Sequence, residues 1–80
     1  MLNAYVLVKA SSQVSISSLT DLLSEVRKIK GVKQAHAIMG PDDGIAYVEA
    51  EDYEQLLGTL GELLSVEGIG STDTRMAWPR

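Results

Sequence analysis

Residues 36–52 read HAIMGPDDGIAYVEAED, and two carboxylates sit there inside a Gly/Pro turn. The cluster Gly40, Pro41, Asp42, Asp43 and Gly44 lies between two apolar runs. It has two possible uses. Pro presets φ, Asp bonds its own backbone and Gly takes a positive φ, which is good hairpin chemistry. The same turn offers backbone N–H groups to an anion and carboxylates to a cation, which would make it a binding turn. Thr72 and Thr74 form a second polar pair. Strand alternation puts both on one face, where each hydroxyl can donate or accept. Thr is equally ordinary in a strand. His36 is the one histidine. As a general base it needs a positioned partner, and Asp73 is the obvious acid on a strand. There is no Ser-His-Asp set, no metal-ligand cluster and no phosphate loop. Trp78, followed by Pro-Arg, suits packing or an interface, or stacking on a ligand.

Alternation and periodicity place these residues on elements. LNAYVLVKA (Leu2–Ala10) is β-branched and aromatic and reads as a strand. SSQVS is a polar loop. Ile16, Leu19, Leu22, Leu23, Val26 and Ile29 recur every three or four residues, which predicts an amphipathic helix. Ser15 or Ser18 caps it and Gly31 ends it. VKQAHAIM and GIAYVEAE are two further strands joined by GPDD. Asp52 with Gln55 resembles a capping box. The helix it opens buries Leu56, Leu57, Leu60, Leu63 and Leu64. Gly68 ends that helix, and IGSTDTRMAW is the last strand.

The order is βαββαβ, and the chain carries an internal repeat. EVRKIKGVKQAHAIM (residues 25–39) lies over ELLSVEGIGSTDTRM (residues 62–76) at a fixed offset. Two similar βαβ halves predict an α+β, ferredoxin-like sandwich. Right-handed crossovers put both helices on one face of a four-stranded antiparallel sheet, with the first and third strands central.

The other face should then be polar at every second residue. It is not. Tyr5 and Leu7, Ile45 and Tyr47, and His36 with Ile38 fall on it. An apolar patch of this kind marks a partner surface, and a dimer with two sheets packed face to face is expected. Burial at about 25 cal/mol per Å² would add several kcal/mol to a short chain of marginal stability. The second and fourth strands lie on opposite edges, so His36 and Asp73 form no dyad within one subunit.

Eighty residues make one domain, expected to span residues 1–80. Cysteine is absent, so there is neither a disulfide framework nor a thiolate ligand. MLNAYVLVKA has no basic region and no cleavage-type tail, so it is not read as a signal peptide. No apolar run spans a membrane. The cytoplasm is the expected location. Net charge is −4. The one basic cluster, Arg27, Lys28, Lys30 and Lys33, sits at a helix end, where it offsets the dipole. Phe is absent. These features argue against DNA contact and RNA stacking platforms.

VLVKA, IKGV…MGPDDGIAYVEAED and VEGIGSTDT, in this order, make the chain resemble the effector (RAM) domain of the Lrp/AsnC transcription regulators. The resemblance covers nearly the whole chain. Ile29, Gly31, Val32, Gly40, Asp43, Val48 to Asp52, Gly68, Thr72 and Thr74 carry it. It implies dimers that assemble into higher-order rings and bind small effectors, often amino acids, between dimers. Carried over residue by residue, it implies a ligand site of Gly40, Pro41, Asp42, Asp43 and Gly44 with Thr72 and Thr74, and no cofactor. Turn N–H groups would take the effector's carboxylate, and Asp43 or Asp42 its ammonium. The family's regulators carry an N-terminal helix-turn-helix. This chain begins at the first strand, so a stand-alone module that holds no DNA itself is expected. Asp42 stands where the family has an aromatic, Gly44 where it has an apolar residue, and ASSQVSISS is longer than the usual turn.

Three rival readings remain. One is a small dimeric α+β enzyme. An ACT-like regulatory domain is another, though KASSQVS lacks that domain's glycine. The third is an oligomerisation module that joins full-length Lrp/AsnC regulators and binds no ligand.

Overall fold

In the computed structural model, six elements follow the expected order: β1 (Leu2–Ala10), α1 (Ile16–Arg27), β2 (Val32–Ala37), β3 (Gly44–Ala50), α2 (Tyr53–Leu64) and β4 (Ile69–Met76). The structure describes residues 1–11 and 14–77, apart from the Ile16 side chain. Trp78 lies outside the described residues. The sheet is antiparallel, in the order β2-β3-β1-β4. The fold is therefore the ferredoxin-like βαββαβ sandwich, with the first and third strands central.

Alternation decides what each strand buries. Ala4, Val6 and Val8 of β1, Ala35 of β2, and Ala46, Val48 and Ala50 of β3 face the helices and are buried. Leu23 and Val26 of α1 and Leu56 and Leu63 of α2 close the core over them. Fully burying an aliphatic side chain of this size contributes roughly 1.5–3 kcal/mol, so these residues dominate the stability.

Both helix starts are capped by side chains. Ser15, not Ser18, caps α1 by accepting from the Ser18 N–H at 3.2 Å. Asp52 caps α2 by accepting from the Gln55 N–H at 2.8 Å. Gln55 Oε1 reaches back to the Glu51 N–H at 3.1 Å, one residue short of a standard capping box.

Three local expectations need correction. Ile29 lies beyond α1, which ends at Arg27 with Lys28 as C-cap; Ile29 packs on the core from the following turn. Strand β2 stops at Ala37, and Met39 is 98% exposed. Only Leu56, Thr59 and Leu63 of α2 are buried, whereas Leu57 and Leu64 are half exposed, because a helix lying on a sheet covers a narrower arc than its apolar residues span. Arg27 does lie in the last turn of α1, as expected, and its Nε also donates to the Ala35 carbonyl at 2.9 Å, which ties α1 to β2.

The repeat is geometric as well as sequential. Gly31 and Gly68 both follow a helix with positive φ, +100° and +103°. Val32 N–H bonds Ile29 O at 3.1 Å, and Ile69 N–H bonds Val66 O at 3.3 Å. The same turn feeds β2 and β4.

Candidate functional site

The turn before β3 is a four-residue hairpin loop that starts one residue earlier than GPDD. The Ile38 N–H donates to the Asp43 carbonyl at 3.0 Å and closes a loop over residues 39–42. Gly40 takes φ +126°, a conformation that favours glycine. The two carboxylates have different roles. Asp43 is anchored: its N–H donates to Val8 O at 2.9 Å, and its Oδ2 accepts from the Ala10 N–H at 2.9 Å. The turn is thereby riveted to the end of β1. Asp42 is half-buried and accepts no hydrogen bond from another described residue. Its charge still reaches Arg75 of β4. The hydrogen-bonded Asp73 carboxylate is the main cause of the raised Arg75 pKa, and Asp42 adds to it. In return, the Arg75 hydrogen bond lowers the Asp73 pKa.

Gly44 is buried in β3. A Cβ there would lie 3.0 Å from Leu23 Cδ2 and 3.4 Å from the His36 carbonyl. A side chain at this position would press on Leu23 of α1, which would have to give by a few tenths of an ångström, so the packing here favours glycine.

Both Gly44 and Thr72 lie opposite Val8, on β3 and β4 respectively. Turn and threonine therefore meet at one end of the sheet, two strand spacings or roughly 10 Å apart. Thr74 lies one step further in, opposite Val6. Thr72 and Thr74 are half-buried on the helix-side face, shared with Val6 and Val8. Two hollows on the described surface lie elsewhere, and neither is lined by residues 40–44, Thr72 or Thr74.

The opposite face carries the other residue set. Tyr5 pairs with Tyr47, their ring centroids 5.1 Å apart. Leu7 lies opposite Ile45, Ile45 lies opposite His36, and Ile38 continues the His36 side beyond β2. The apolar centre is rimmed by a polar chain that the sequence reading missed. Asn3 Nδ2 donates to the Tyr47 hydroxyl at 2.6 Å, and that hydroxyl donates to Glu49 Oε2 at 3.3 Å. Alternation alone places Asn3, Tyr47 and Glu49 on this face, and that was the available signal. Burial and the Glu49 charge raise the Tyr47 pKa. His36 on β2 and Asp73 on β4 lie at opposite edges, three strand spacings or roughly 14 Å apart. No group of three or more His, Cys, Asp or Glu that could hold a metal occurs among the described residues, and no described helix is long and apolar enough to cross a membrane.

The comparisons with known proteins agree on the fold. The protein TTHA0845 from Thermus thermophilus is 26% identical, with a TM-score of 0.85 over 100% of this chain and 96% of its own. E. coli AsnC is 14% identical, with a TM-score of 0.84 over 99% of this chain and 52% of its own. A transcriptional regulator of Neisseria meningitidis, solved as its L-Met complex, is 22% identical, with a TM-score of 0.80 over 98% of this chain and 50% of its own. This chain thus spans about half of those two regulators. No curated protein matches it. Residues 3–78 match the Lrp/AsnC ligand binding domain. With nearly every residue of the βαββαβ unit inside that match, the chain belongs to the Lrp/AsnC ligand binding domain family.

Proposed function

We propose that this protein is an effector-binding and oligomerisation module of transcription regulation, with a free amino acid as its effector and no DNA contact of its own. The observation that carries this reading is the family match over residues 3–78. A structural neighbour solved with L-Met indicates the ligand class. The geometry of the turn agrees. Asp42, rather than the anchored Asp43, is the carboxylate placed to meet an ammonium. Gly40, Pro41 and Gly44 shape the turn, and Thr72 and Thr74 lie across the sheet end from it. One chain does not enclose this surface, so a second copy completes it. The apolar sheet face of Tyr5, Leu7, His36, Ile38, Ile45 and Tyr47 is the self-association surface, and the family's full-length regulators are further partners for it. The module acts in the cytoplasm.

A thermal-unfolding screen of the purified protein against the common amino acids, each in large excess, tests the reading. Ligand at about 100 times Kd adds about 2.7 kcal/mol, which raises the midpoint by on the order of 10 °C. The expected result is a selective rise that is lost in Asp42→Ala and Thr72→Val. A flat panel would remove the effector function. The purely structural reading would then stand on the open face alone, with light scattering as its test: a mass that never exceeds the monomer's sinks it.

A further inference from the structure

The repeat extends through both helices. The caps Ser15 and Asp52, and the glycines Gly31 and Gly68, are each separated by 37 residues (15 to 52, 31 to 68). That offset pairs Leu22 with Thr59, Asp21 with Gly58, and Glu67 with Lys30. The packing follows it. A Cβ on Gly68 would meet Leu22 Cδ1 at 3.4 Å, and a Cβ on Gly31 would meet Thr59 Oγ1 at 2.7 Å. The two surface hollows are related in the same way. One is lined by Asp21, Leu22, Glu67 and Gly68. The other is lined by Gly58, Thr59, Lys30 and Gly31.

The halves diverge within this second hollow. Where the first hollow, the larger at about 940 Å³, has Asp21, Leu22 and Glu67, the second has Gly58, Thr59 and Lys30, so an anion is replaced by a cation. At Gly58 a Cβ would meet nothing within 4 Å, so packing does not require the glycine, which is a poor helix former. A side chain added there would project into open space beside the hollow. The hollow holds about 370 Å³, within the range of small-molecule clefts. Buried Ala50 and Thr59 form its wall. Lys30 and Lys33 bring positive charge to its rim, and Glu51 and Glu62 bring negative charge. Gln55 fixes the Glu51 side of the rim through its bond to that residue's N–H. Thr59 donates its proton to Lys30 O at 3.0 Å, so its oxygen still offers a lone pair inward.

We propose that this hollow is a second ligand site, for a small zwitterion of the free amino-acid class. The ligand's carboxylate pairs with Lys30 and Lys33, its ammonium with Glu51 and Glu62, and its side chain lies toward Ala50 over Gly58. The inference takes its ligand class from the function proposed above but locates the ligand at the other end of the sheet. The Gly40–Gly44 turn sits where β1 ends, whereas the hollow sits where β1 begins, beside Ala50 opposite Leu2.

Amide NMR of the ¹⁵N-labelled protein, titrated separately with glycine, L-alanine, L-leucine, L-methionine and L-glutamate, tests it. Saturable shifts at the Gly31, Gly58 and Thr59 amides are expected for at least one of them. Gly58→Leu fills the space without touching the turn, favours the helix and abolishes those shifts. Lys30→Glu with Lys33→Glu weakens binding by about tenfold or more, the scale of one lost charge-assisted contact. Shifts confined to Gly40, Gly44 and Thr72 would overturn this site and leave the effector function standing. Shifts at the hollow that survive Gly58→Leu would overturn it as well. A spectrum that no amino acid changes would overturn both.

Discussion

Thr59 and Gly31 are joined at one point where α2 meets the entry to β2. The Thr59 hydroxyl donates to the Lys30 carbonyl at 3.0 Å, and its oxygen lies 2.7 Å from where a Gly31 Cβ would stand. The Gly31 carbonyl in turn accepts from the Glu49 N–H at 2.9 Å and tethers the turn to β3. A side chain at residue 31 would meet both a positive φ and an occupied space. Gly31→Ala is therefore expected to cost about 2–4 kcal/mol, combining strain and displacement. Thr59→Val leaves the Lys30 carbonyl without its partner and is expected to cost about 1–2 kcal/mol. The pair should be non-additive, with Gly31→Ala less harmful when Thr59 is already Ala. Urea unfolding of the single and double variants measures this. Strict additivity would show that the contact does not set the position of α2.

The two turn aspartates should separate in the same assay. Asp43 accepts from the Ala10 N–H across 33 residues of sequence, and Asp43→Ala leaves that donor unpaired. A loss of about 1–2 kcal/mol without any ligand is expected, with Asp43→Asn milder because its amide oxygen still accepts. Asp42→Ala should change stability by less than about 0.5 kcal/mol, because the Asp42 carboxylate accepts no hydrogen bond from another described residue. The reverse order would mean that Asp42 carries the turn, and it would then be the wrong residue for probing an effector.

Much of this architecture is legible in the chain because local signals agree with one another. The period of the leucines and valines, the capping pair Asp52 and Gln55, and the two Gly-apolar turns each point to the same βαββαβ unit. Contacts between residues far apart in sequence are less legible. Asp43 looks like ordinary turn chemistry until β1 is placed beside it, and only then does its carboxylate find the Ala10 N–H. Thr72 and Thr74 are readable as sharing a face, but the face they share depends on sheet order. Thr59 escapes a sequence reading because threonine looks like a neutral helix residue. Its repeat partner Leu22, buried at the same point of α1, is the available signal.

The apolar residues of α2 divide into two classes that periodicity alone merges. Leu56 and Leu63 are about 1% and 0% exposed, whereas Leu57 and Leu64 are 51% and 55% exposed. Truncating a buried leucine removes its transfer energy and leaves a cavity, so Leu56→Ala and Leu63→Ala should each cost about 2–5 kcal/mol. Leu57→Gln and Leu64→Gln should each cost less than about 0.5 kcal/mol. For a domain of this size, 1 kcal/mol moves Tm by about 4–8 °C, so thermal melts separate the classes. A large loss at Leu57 or Leu64 would reveal that assembly covers this side of α2.

The open sheet face should show itself in alkaline titration. The Tyr47 hydroxyl is raised in pKa first by burial and then by the Glu49 charge and its hydrogen bond, against a smaller opposing effect from Asn3. The folded chain therefore holds this proton more tightly than the unfolded one. The resulting stability is complete below the ordinary tyrosine value near 10 and is lost as pH rises past it through the folded value. Tyrosinate absorbance should resolve one of the three tyrosines titrating above the usual range, and the unfolding midpoint should fall over the same interval. Glu49→Gln removes the charge but not the burial, so it should bring the transition part of the way back and shrink the midpoint loss. Packing a second sheet on this face would desolvate Tyr47 further, and the shift should then grow with protein concentration. A monomeric variant such as Leu7→Glu should remove that concentration dependence and leave the intrachain part. If all three tyrosines titrate together at the ordinary value, the Asn3–Tyr47–Glu49 chain does not hold in solution.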